Sequence, residues 1–236
     1  MKNTATAGAS FVRTAGLLCL VGAVIGAIGG IVTGFLPPAV SSDWYSYPYT
    51  PAGFIVAQFV FMSNHVLLFI GVLGLARSGA AGNGFLGRLG LWISLAGLAA
   101  LTLCEVGAMT LAASPYPSPG TDFMDTSYGI ASILIGVGLT LAGAAVAKSR
   151  EWAGWRRFVT LICGVAVFII VIPGILGPFL VARLALTVWM LMFAALGWAL
   201  YSQAPVRRKG YHAGRWNADQ RHADRPAEGE PRSGRH

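Results

Sequence analysis

The sequence predicts an all-α fold, a polytopic transmembrane bundle of six helices with both termini on the cytoplasmic side. Two observations support this prediction. The chain of 236 residues is 55% apolar and only 11% charged, and a soluble domain with a polar surface does not have such a composition. The Lys and Arg residues also cluster at alternate connections, as expected for cytoplasmic loops near the ends of membrane spans.

Six apolar runs are long enough to cross a bilayer, whose hydrocarbon core of about 30 Å requires about 20 helical residues. Each run is apolar on all sides, whereas the strands of a membrane barrel alternate in short segments, so helices are favoured. The first run is longer than the apolar region of a secretory signal, and we expect it to be retained. The predicted spans, within a domain of residues 1–201, are 14–36, 54–76, 89–112, 128–147, 157–176 and 178–201.

The basic residues alternate between the two sides of the predicted bundle. The connections 37–53, 114–127 and 174–177 contain no Lys or Arg. Outside these connections, Arg183 is the single basic residue that departs from the alternation. The pattern predicts a multi-pass protein of the cytoplasmic membrane. The other basic residues before the tail are Lys2, Arg13, Arg77, Arg88, Lys148, Arg150, Arg156 and Arg157.

Residues 202–236 are rich in Pro, Gly, Arg and His and show no apolar period, which predicts a disordered, basic cytoplasmic tail. Its first basic residues directly follow the sixth span, so the expected partners are the bilayer and its anionic headgroups, at about 1 kcal/mol per charge. The net charge of +8 also raises nucleic acid as a partner. The basic residues line one membrane face without interleaved aromatic residues, so no nucleic acid is expected.

Small residues are spaced for close packing of the helices. Gly22, Gly26, Gly30 and Gly34 share one face of the first helix, and because lipid supplies no hydrophobic drive between helices, such stripes allow spans to approach. Similar stripes on the third and fourth helices place these three helices at the expected centre of the bundle. A homo-oligomer through the glycine face of the first helix is the alternative interpretation.

The first and third connections are rich in Pro and Tyr. An aromatic belt at the membrane interface is the favoured interpretation, and a lid over an outward-facing pocket is the alternative. Asp43, Asp122 and Asp125 lack the spacing of a cation site. Cys19, Cys104 and Cys163 lie within spans without a CxxC spacing. We therefore expect no metal, cofactor or disulfide framework.

Few ionisable or amide side chains lie within the spans, and their cost in hydrocarbon makes each a functional candidate. At 1.5 Å per residue, Glu105 and Arg183 are expected about 8–10 Å below the outer surface, with Gln58 at a similar depth. We expect Glu105 to pair with Arg183 and Gln58 to bond to this pair.

The deeper His65 follows Asn64 and is expected to bond to a backbone or hydroxyl group instead of forming a proton relay. The candidate hydroxyl partners are those of Ser63, Ser94, Thr102 and Thr110.

The polar residues support two interpretations, a structural ion pair and a ligand-binding pocket formed by Gln58, His65, Glu105 and Arg183. The leading functional hypothesis is a non-enzymatic membrane protein that binds or passes a small amphipathic molecule through this pocket. The first alternative is an enzyme acting on a lipid or isoprenoid-like substrate, with Glu105 as the acid. The second alternative is a structural or regulatory subunit of a membrane complex.

Two segments, HVLLFIGVLGLARSG at residues 65–79 and FLGRLGLWISLAGLAAL at residues 85–101, resemble small six-helix integral membrane proteins that are common in high-GC Gram-positive bacteria. The resemblance covers about the first half of the chain and is carried by apolar residues. It implies a bacterial six-span topology. The activity of that class is generally unassigned, so the resemblance implies no functional residue.

Reporter fusions after Ala76, Ala113 and Ser202 test the predicted topology. A reporter that is active only outside the cytoplasm should be active after Ala113 and silent after Ala76 and Ser202, because Lys and Arg residues retain the loops they occupy on the cytoplasmic side. Activity of that reporter after Ser202 would contradict the six-span arrangement with both termini inside.

Overall fold

The computed structural model describes residues 2–203, with side chains described from residue 8 onward. It confirms an all-α fold with six helices that are long and apolar enough to cross a membrane. The predicted tail lies outside the described residues, apart from Ser202 and Gln203. The helices are α1 (Lys2–Phe35), α2 (Pro51–Ser78), α3 (Phe85–Thr110), α4 (Pro119–Ser149), α5 (Arg156–Ala166), α6 (Ile172–Ile175) and α7 (Phe179–Tyr201).

The helices form a closed ring in chain order. Each spanning helix packs against its neighbours along the chain, and α7 returns to pack against α1. The most extensive contacts are those of α1 with α7 and of α3 with α4. Within residues 2–203, α1 makes no substantial contact with α3 or α4. The prediction that these three helices form the centre is therefore wrong.

The glycine stripe of α1 faces its two neighbours in the ring. A methyl group at Gly22 would lie 2.6 Å from the Cβ atom of Leu67 on α2, and one at Gly30 would lie 2.5 Å from the Thr187 hydroxyl on α7. The stripe therefore packs within the chain, in agreement with the packing interpretation. The homo-oligomer stays a hypothesis, and these glycine positions are already occupied by intramolecular contacts.

The fourth span begins at Pro119, nine residues before its predicted start at residue 128. Ser118 and Thr121 form a capping box, in which the Ser118 backbone N–H donates to Thr121 Oγ1 at 2.8 Å. Pro119 follows the cap at a position where its missing N–H costs no helical hydrogen bond. The polar residues of this segment predicted a loop. The capping residues instead start a helix, so Asp122 and Asp125 are helical.

The fifth span is interrupted by a π-helical segment, Val167–Val171, between α5 and α6. Pro173 follows this segment. A proline lacks the backbone N–H, and its ring collides with the carbonyl four residues earlier, here that of Ile169. The wider π turn accommodates this collision inside the span.

Two ends of the bundle can be distinguished by their connections. At the first, the aromatic end, the Tyr45 N–H donates to the Ser114 carbonyl at 3.1 Å and the Tyr116 N–H donates to the Asp43 carbonyl at 2.7 Å. At the other, the basic end, Ser149 Oγ donates to the Ala80 carbonyl at 2.6 Å. Hydrogen bonds made by the connections, to each other at the aromatic end and to the last residue of α4 at the basic end, therefore tie the ring together.

Closure of the ring depends on Gly197, and a Gly197→Ala substitution should destabilise the protein by about 1–3 kcal/mol through overpacking. The added methyl group would lie 2.6 Å from the Leu20 backbone nitrogen and 2.8 Å from the Gly16 carbonyl oxygen. Gly129→Ala is the matched control because nothing lies within 4 Å of its added methyl group. Replacing glycine by alanine raises the helix propensity equally at both positions. Equal free energies of unfolding of the Gly197→Ala and Gly129→Ala proteins in detergent would therefore contradict the prediction.

Candidate functional site

A chain of hydrogen bonds links three helices below the aromatic end. Gln58 Nε2 of α2 donates to the Tyr128 hydroxyl of α4 at 3.1 Å, and that hydroxyl donates to Glu105 Oε2 of α3 at 2.8 Å. Gln58 and Glu105 are buried, at 6% and 4% exposure. Buried polar groups require such partners because an unpaired one costs its full desolvation free energy. The bond between Gln58 and Glu105 that we expected is thus made through Tyr128.

The second carboxylate oxygen of Glu105 faces His65. Glu105 Oε1 lies 3.3 Å from His65 Nδ1, within ion-pair distance, although the orientation of the two groups is not that of a hydrogen bond. His65 is buried. Gln58, His65, Tyr128 and Glu105 are hereafter called the Glu105 cluster, and they bring a carboxyl, an imidazole and a phenol into one buried site.

The prediction of a hydroxyl partner for His65 is wrong for all four candidates. Each of these hydroxyls instead donates to a carbonyl one turn earlier in its own helix, as Ser94 does to Gly90 at 2.8 Å and Thr102 does to Leu98 at 2.8 Å. Serine and threonine satisfy their hydroxyl groups in this way when a helix offers no other partner. His65 is consequently left facing Glu105.

The directions of the helices explain why His65 and Glu105 meet despite different predicted depths. Every Cα–Cβ bond of a helix tilts toward the N-terminus of that helix. Because α2 and α3 are sequential neighbours that run in opposite directions, the His65 side chain leans toward the aromatic end and the Glu105 side chain leans away from it. The two side chains therefore converge, and a depth measured at the Cα atoms misses this approach.

Arg183 does not form the predicted pair with Glu105. No ion pair joins them within the described residues, and the Arg183 guanidinium instead lies over the Phe179 ring, 4.9 Å from its centroid. A methyl group at Gly34 would lie 3.2 Å from Arg183 Cβ, so Arg183 is held beside α1. Similar depth on two helices does not imply contact, because α3 and α7 are not neighbours in the ring.

Several buried polar atoms around these residues lack a hydrogen-bond partner within the described part of the chain. They are Asn64 Oδ1, His65 Nδ1 and Arg183 Nε. Asn64 is 1% exposed, and its amide nitrogen has only the Met190 sulfur, at 3.6 Å, as an acceptor. Unpaired groups of this kind are costly in a low-dielectric interior, so a bound polar molecule or water would stabilise them.

The aromatic end covers the Glu105 cluster. The Tyr45 ring packs edge-on against Phe54, with ring centroids 5.6 Å apart, and the hydroxyls of Tyr45 and Tyr116 donate to the Asp125 carboxylate at 3.4 and 3.0 Å. Burial and the adjacent Asp125 carboxylate raise the pKa of Tyr45 and that of Tyr116. Both hydroxyls therefore remain hydrogen-bond donors at neutral pH.

Other tyrosines of the first connection also pack onto the bundle. The Thr33 hydroxyl donates to the Gly29 carbonyl at 2.7 Å, and because its proton is used there, the Tyr49 hydroxyl 2.6 Å away is the donor to Thr33 Oγ1. The Tyr47 ring packs edge-on against Phe179, with centroids 5.1 Å apart. These contacts hold the first connection against the bundle, and both the aromatic belt and the lid stay interpretations of it.

Sequence reasoning missed Tyr128, which was only the first residue of the predicted fourth span, 128–147. With α4 starting at Pro119, Tyr128 lies about two and a half turns inside the helix and reaches Glu105. The signal that could have found it is the Ser118, Pro119 and Thr121 pattern, which marks a capped helix start.

The described residues contain no group of three His, Cys, Asp or Glu side chains that could hold a metal ion. Asp43, Asp122 and Asp125 thus form no such group. The cysteines Cys19, Cys104 and Cys163 are free and buried, and they are spread over three helices. The Glu105 cluster itself offers carboxyl, imidazole, phenol and amide groups.

Comparison of the chain with known protein families, with characterised proteins and with solved structures finds no match. The six long apolar helices place it among multi-pass membrane proteins.

A double-mutant cycle tests which residue pairs with Glu105. Tyr128→Phe and Glu105→Leu should each destabilise the protein by about 1–3 kcal/mol, and the double mutant should lose less than their sum because both substitutions remove the same hydrogen bond between Tyr128 and Glu105. The coupling energy of Glu105 with Tyr128 should exceed that of Glu105 with Arg183, measured as the free energy of unfolding in detergent or bilayers. A larger coupling to Arg183 would contradict this geometry.

Proposed function

We propose that this multi-pass membrane protein binds a small amphipathic molecule at an outward-facing site. The polar part of the molecule is held by the Glu105 cluster together with Arg183, below the aromatic end. Compared with the sequence-based hypothesis, the site also contains Tyr128. Glu105 and Arg183, which were expected to form an ion pair, are instead two charges that do not contact each other.

The observation that carries the proposal is this separation of charge. Glu105 and Arg183 do not pair within the described residues, although Glu105 is buried and Arg183 is half-buried. Arg183 Nε, His65 Nδ1 and Asn64 Oδ1 have no partner there. A purely structural pair would be joined directly, because an unpaired charge in hydrocarbon is expensive. A molecule with hydrogen-bonding groups would supply the missing partners.

A separate apolar groove between α1 and α2, which shares no lining residue with the Glu105 cluster, is open to the apolar part of an amphipathic molecule. It has a volume of about 360 Å³, within the roughly 300–1,000 Å³ typical of small-molecule sites. Tyr49 and Gly53 are among its lining residues at the aromatic end. The remaining lining residues are Ile25, Ile28, Gly29, Val32, Val56, Ala57, Val60 and Phe61.

A membrane enzyme acting on a lipid or isoprenoid-like substrate is a second candidate. The contact between Glu105 and His65 at 3.3 Å favours it, because a carboxyl group beside an imidazole is a common arrangement for general acid–base catalysis. In this alternative Glu105 is the acid, and His65 exchanges a proton with Glu105. The Tyr128 hydroxyl orients the carboxyl group through the hydrogen bond at Oε2.

The cellular setting is part of the proposal. The excess of basic residues at the basic end supports a cytoplasmic position for that end, which turns the aromatic end and the site outward. The resemblance to six-helix proteins of high-GC Gram-positive bacteria supports a bacterial cytoplasmic membrane. A role as a subunit of a membrane complex would instead leave the Glu105 cluster without a small-molecule ligand.

Binding to defined amphiphiles tests the proposal. Lysophosphatidylcholine, lysophosphatidic acid and dodecyltrimethylammonium differ in headgroup charge, and at least one should bind purified protein saturably and raise its unfolding temperature, because a ligand stabilises the state that it binds. Glu105→Gln or Arg183→Gln should weaken that binding about tenfold, which is about 1.4 kcal/mol. Native mass spectrometry and thermal unfolding measure both effects.

Glu151→Gln is the matched control because Glu151 is an exposed carboxylate in the connection before α5. Its binding should equal that of the unmodified protein. Conversion of an added lipid to a product that Glu105→Gln abolishes would support the enzyme instead. Equal binding by Glu105→Gln and Glu151→Gln, together with no turnover that Glu105→Gln abolishes, would contradict both proposals for the site.

A further inference from the structure

A second groove lies at the basic end, between the last turns of α2 and the first turns of α3. Its volume is about 390 Å³, within the range of roughly 300–1,000 Å³ that is typical of small-molecule sites. It is separate from the Glu105 cluster, which lies toward the aromatic end. The groove is lined by Leu73, Ala76, Gly82, Asn83, Arg88, Leu91, Trp92 and Leu95.

The groove changes from polar to apolar along its length. Arg88, Trp92 and Leu95 are spaced by four and three residues and so share one face of α3. Leu95 lies about 10 Å along the helix from Arg88, at 1.5 Å per residue. Half of a hydrocarbon core of about 30 Å is about 15 Å, so the groove extends over much of one leaflet.

Arg88 is held at the polar mouth of this groove. Its Nη2 donates to the Asn83 carbonyl at 3.0 Å, which leaves other guanidinium N–H groups for an anion. Other arginines of this end are occupied by the chain itself. Arg77 lies over the Phe11 ring, 4.2 Å from its centroid, and Arg157 Nε donates to the Ala147 carbonyl at 2.6 Å.

The electrostatic surroundings favour an anionic occupant. None of the eight lining residues, all in the described part of the chain, is acidic. A methyl group at Gly82 would lie 3.8 Å from Ser149 Cβ, so the end of α4 lies near the groove, with the basic residues Lys148 and Arg150 and the acidic Glu151 next to it in sequence. The groove therefore combines a positive mouth with an apolar wall.

Trp92 forms an exposed aromatic side of the groove. It is 71% exposed, whereas Leu91 and Leu95 are only 7% and 6% exposed and form the floor. An exposed tryptophan near the end of a spanning helix lies at the level of lipid headgroups, where its apolar ring and its N–H are both accommodated. The open side of the groove thus faces the lipid phase, and its occupant would enter from the bilayer.

We propose that this groove is a binding site for an anionic phospholipid of the leaflet at the basic end. The phosphate lies on the Arg88 guanidinium, and one acyl chain follows Leu91, Trp92 and Leu95. The charge of the mouth selects an anionic headgroup over a zwitterionic one, and the apolar wall selects a lipid over a free phosphate. This site is independent of the function proposed for the Glu105 cluster.

Native mass spectrometry of the full chain tests this site with phosphatidylglycerol, phosphatidylcholine and inorganic phosphate as probes. Phosphatidylglycerol should bind at least about fivefold more tightly than phosphatidylcholine, the factor that corresponds to one nearby basic residue. Arg88→Gln should remove this preference, and Arg88→Lys should retain most of it. Trp92→Ala should weaken the binding of both lipids.

Two matched controls identify a specific site. Arg156→Gln removes the same charge from the basic end but on α5, where Arg156 donates to Ser202 at 3.0 Å, and Trp155→Ala removes a tryptophan that is 51% exposed. Both should leave lipid binding unchanged.

Three results would overturn the proposal. The first is equal loss of the lipid preference in Arg88→Gln and Arg156→Gln, and the second is an unchanged preference in a folded Arg88→Gln protein. The third is displacement of phosphatidylglycerol by inorganic phosphate at equal concentration.

Discussion

Hydrocarbon offers no hydrogen-bond partner, and this constraint governs most of the polar structure in the chain. The hydroxyls of Ser94, Thr140 and Thr187 each donate to a carbonyl of their own helix. The protons of these hydroxyls are therefore unavailable for donation to another helix, although each oxygen can still accept. Few polar side chains meet across helices, and several of them gather in the Glu105 cluster, whereas Trp189 Nε1 donates to the Cys163 carbonyl elsewhere in the bundle.

Close contacts at glycines decide which helices become neighbours. Gly197 of α7 approaches the backbone of Gly16 and Leu20 on α1, and Gly138 of α4 approaches that of Gly90 on α3. Lipid supplies no hydrophobic drive for helix association, so close packing of backbones has to provide it. The resulting ring places α2, α3 and α4 in sequence. That order is what allows Gln58, Glu105 and Tyr128 to meet.

The Glu105 cluster and the aromatic end form one unit with the capped start of α4. The capping box at Ser118 brings Asp125 beneath Tyr45 and Tyr116 and places Tyr128 deep enough to reach Glu105. The capping box at Ser118 therefore sets the start of α4 and, through it, the positions of Asp125 at the aromatic end and of Tyr128 in the Glu105 cluster. At the other end of the bundle, the groove beside Arg88 presents a different charge and faces lipid. The two ends are thus suited to different molecules.

Composition, apolar run lengths and the spacing of Lys and Arg were sufficient to predict an all-α bundle with six spanning helices, because hydrocarbon restricts a chain of this kind to helices. They also identified Gln58, His65 and Glu105 as costly residues. The partners of these residues could not be predicted. Glu105 meets His65 and Tyr128 instead of Arg183 because contact depends on ring order, on the tilt of side chains toward each helix N-terminus and on where α4 begins. These are properties of the packed helices, and they cannot be derived from the depth of a residue along a single helix.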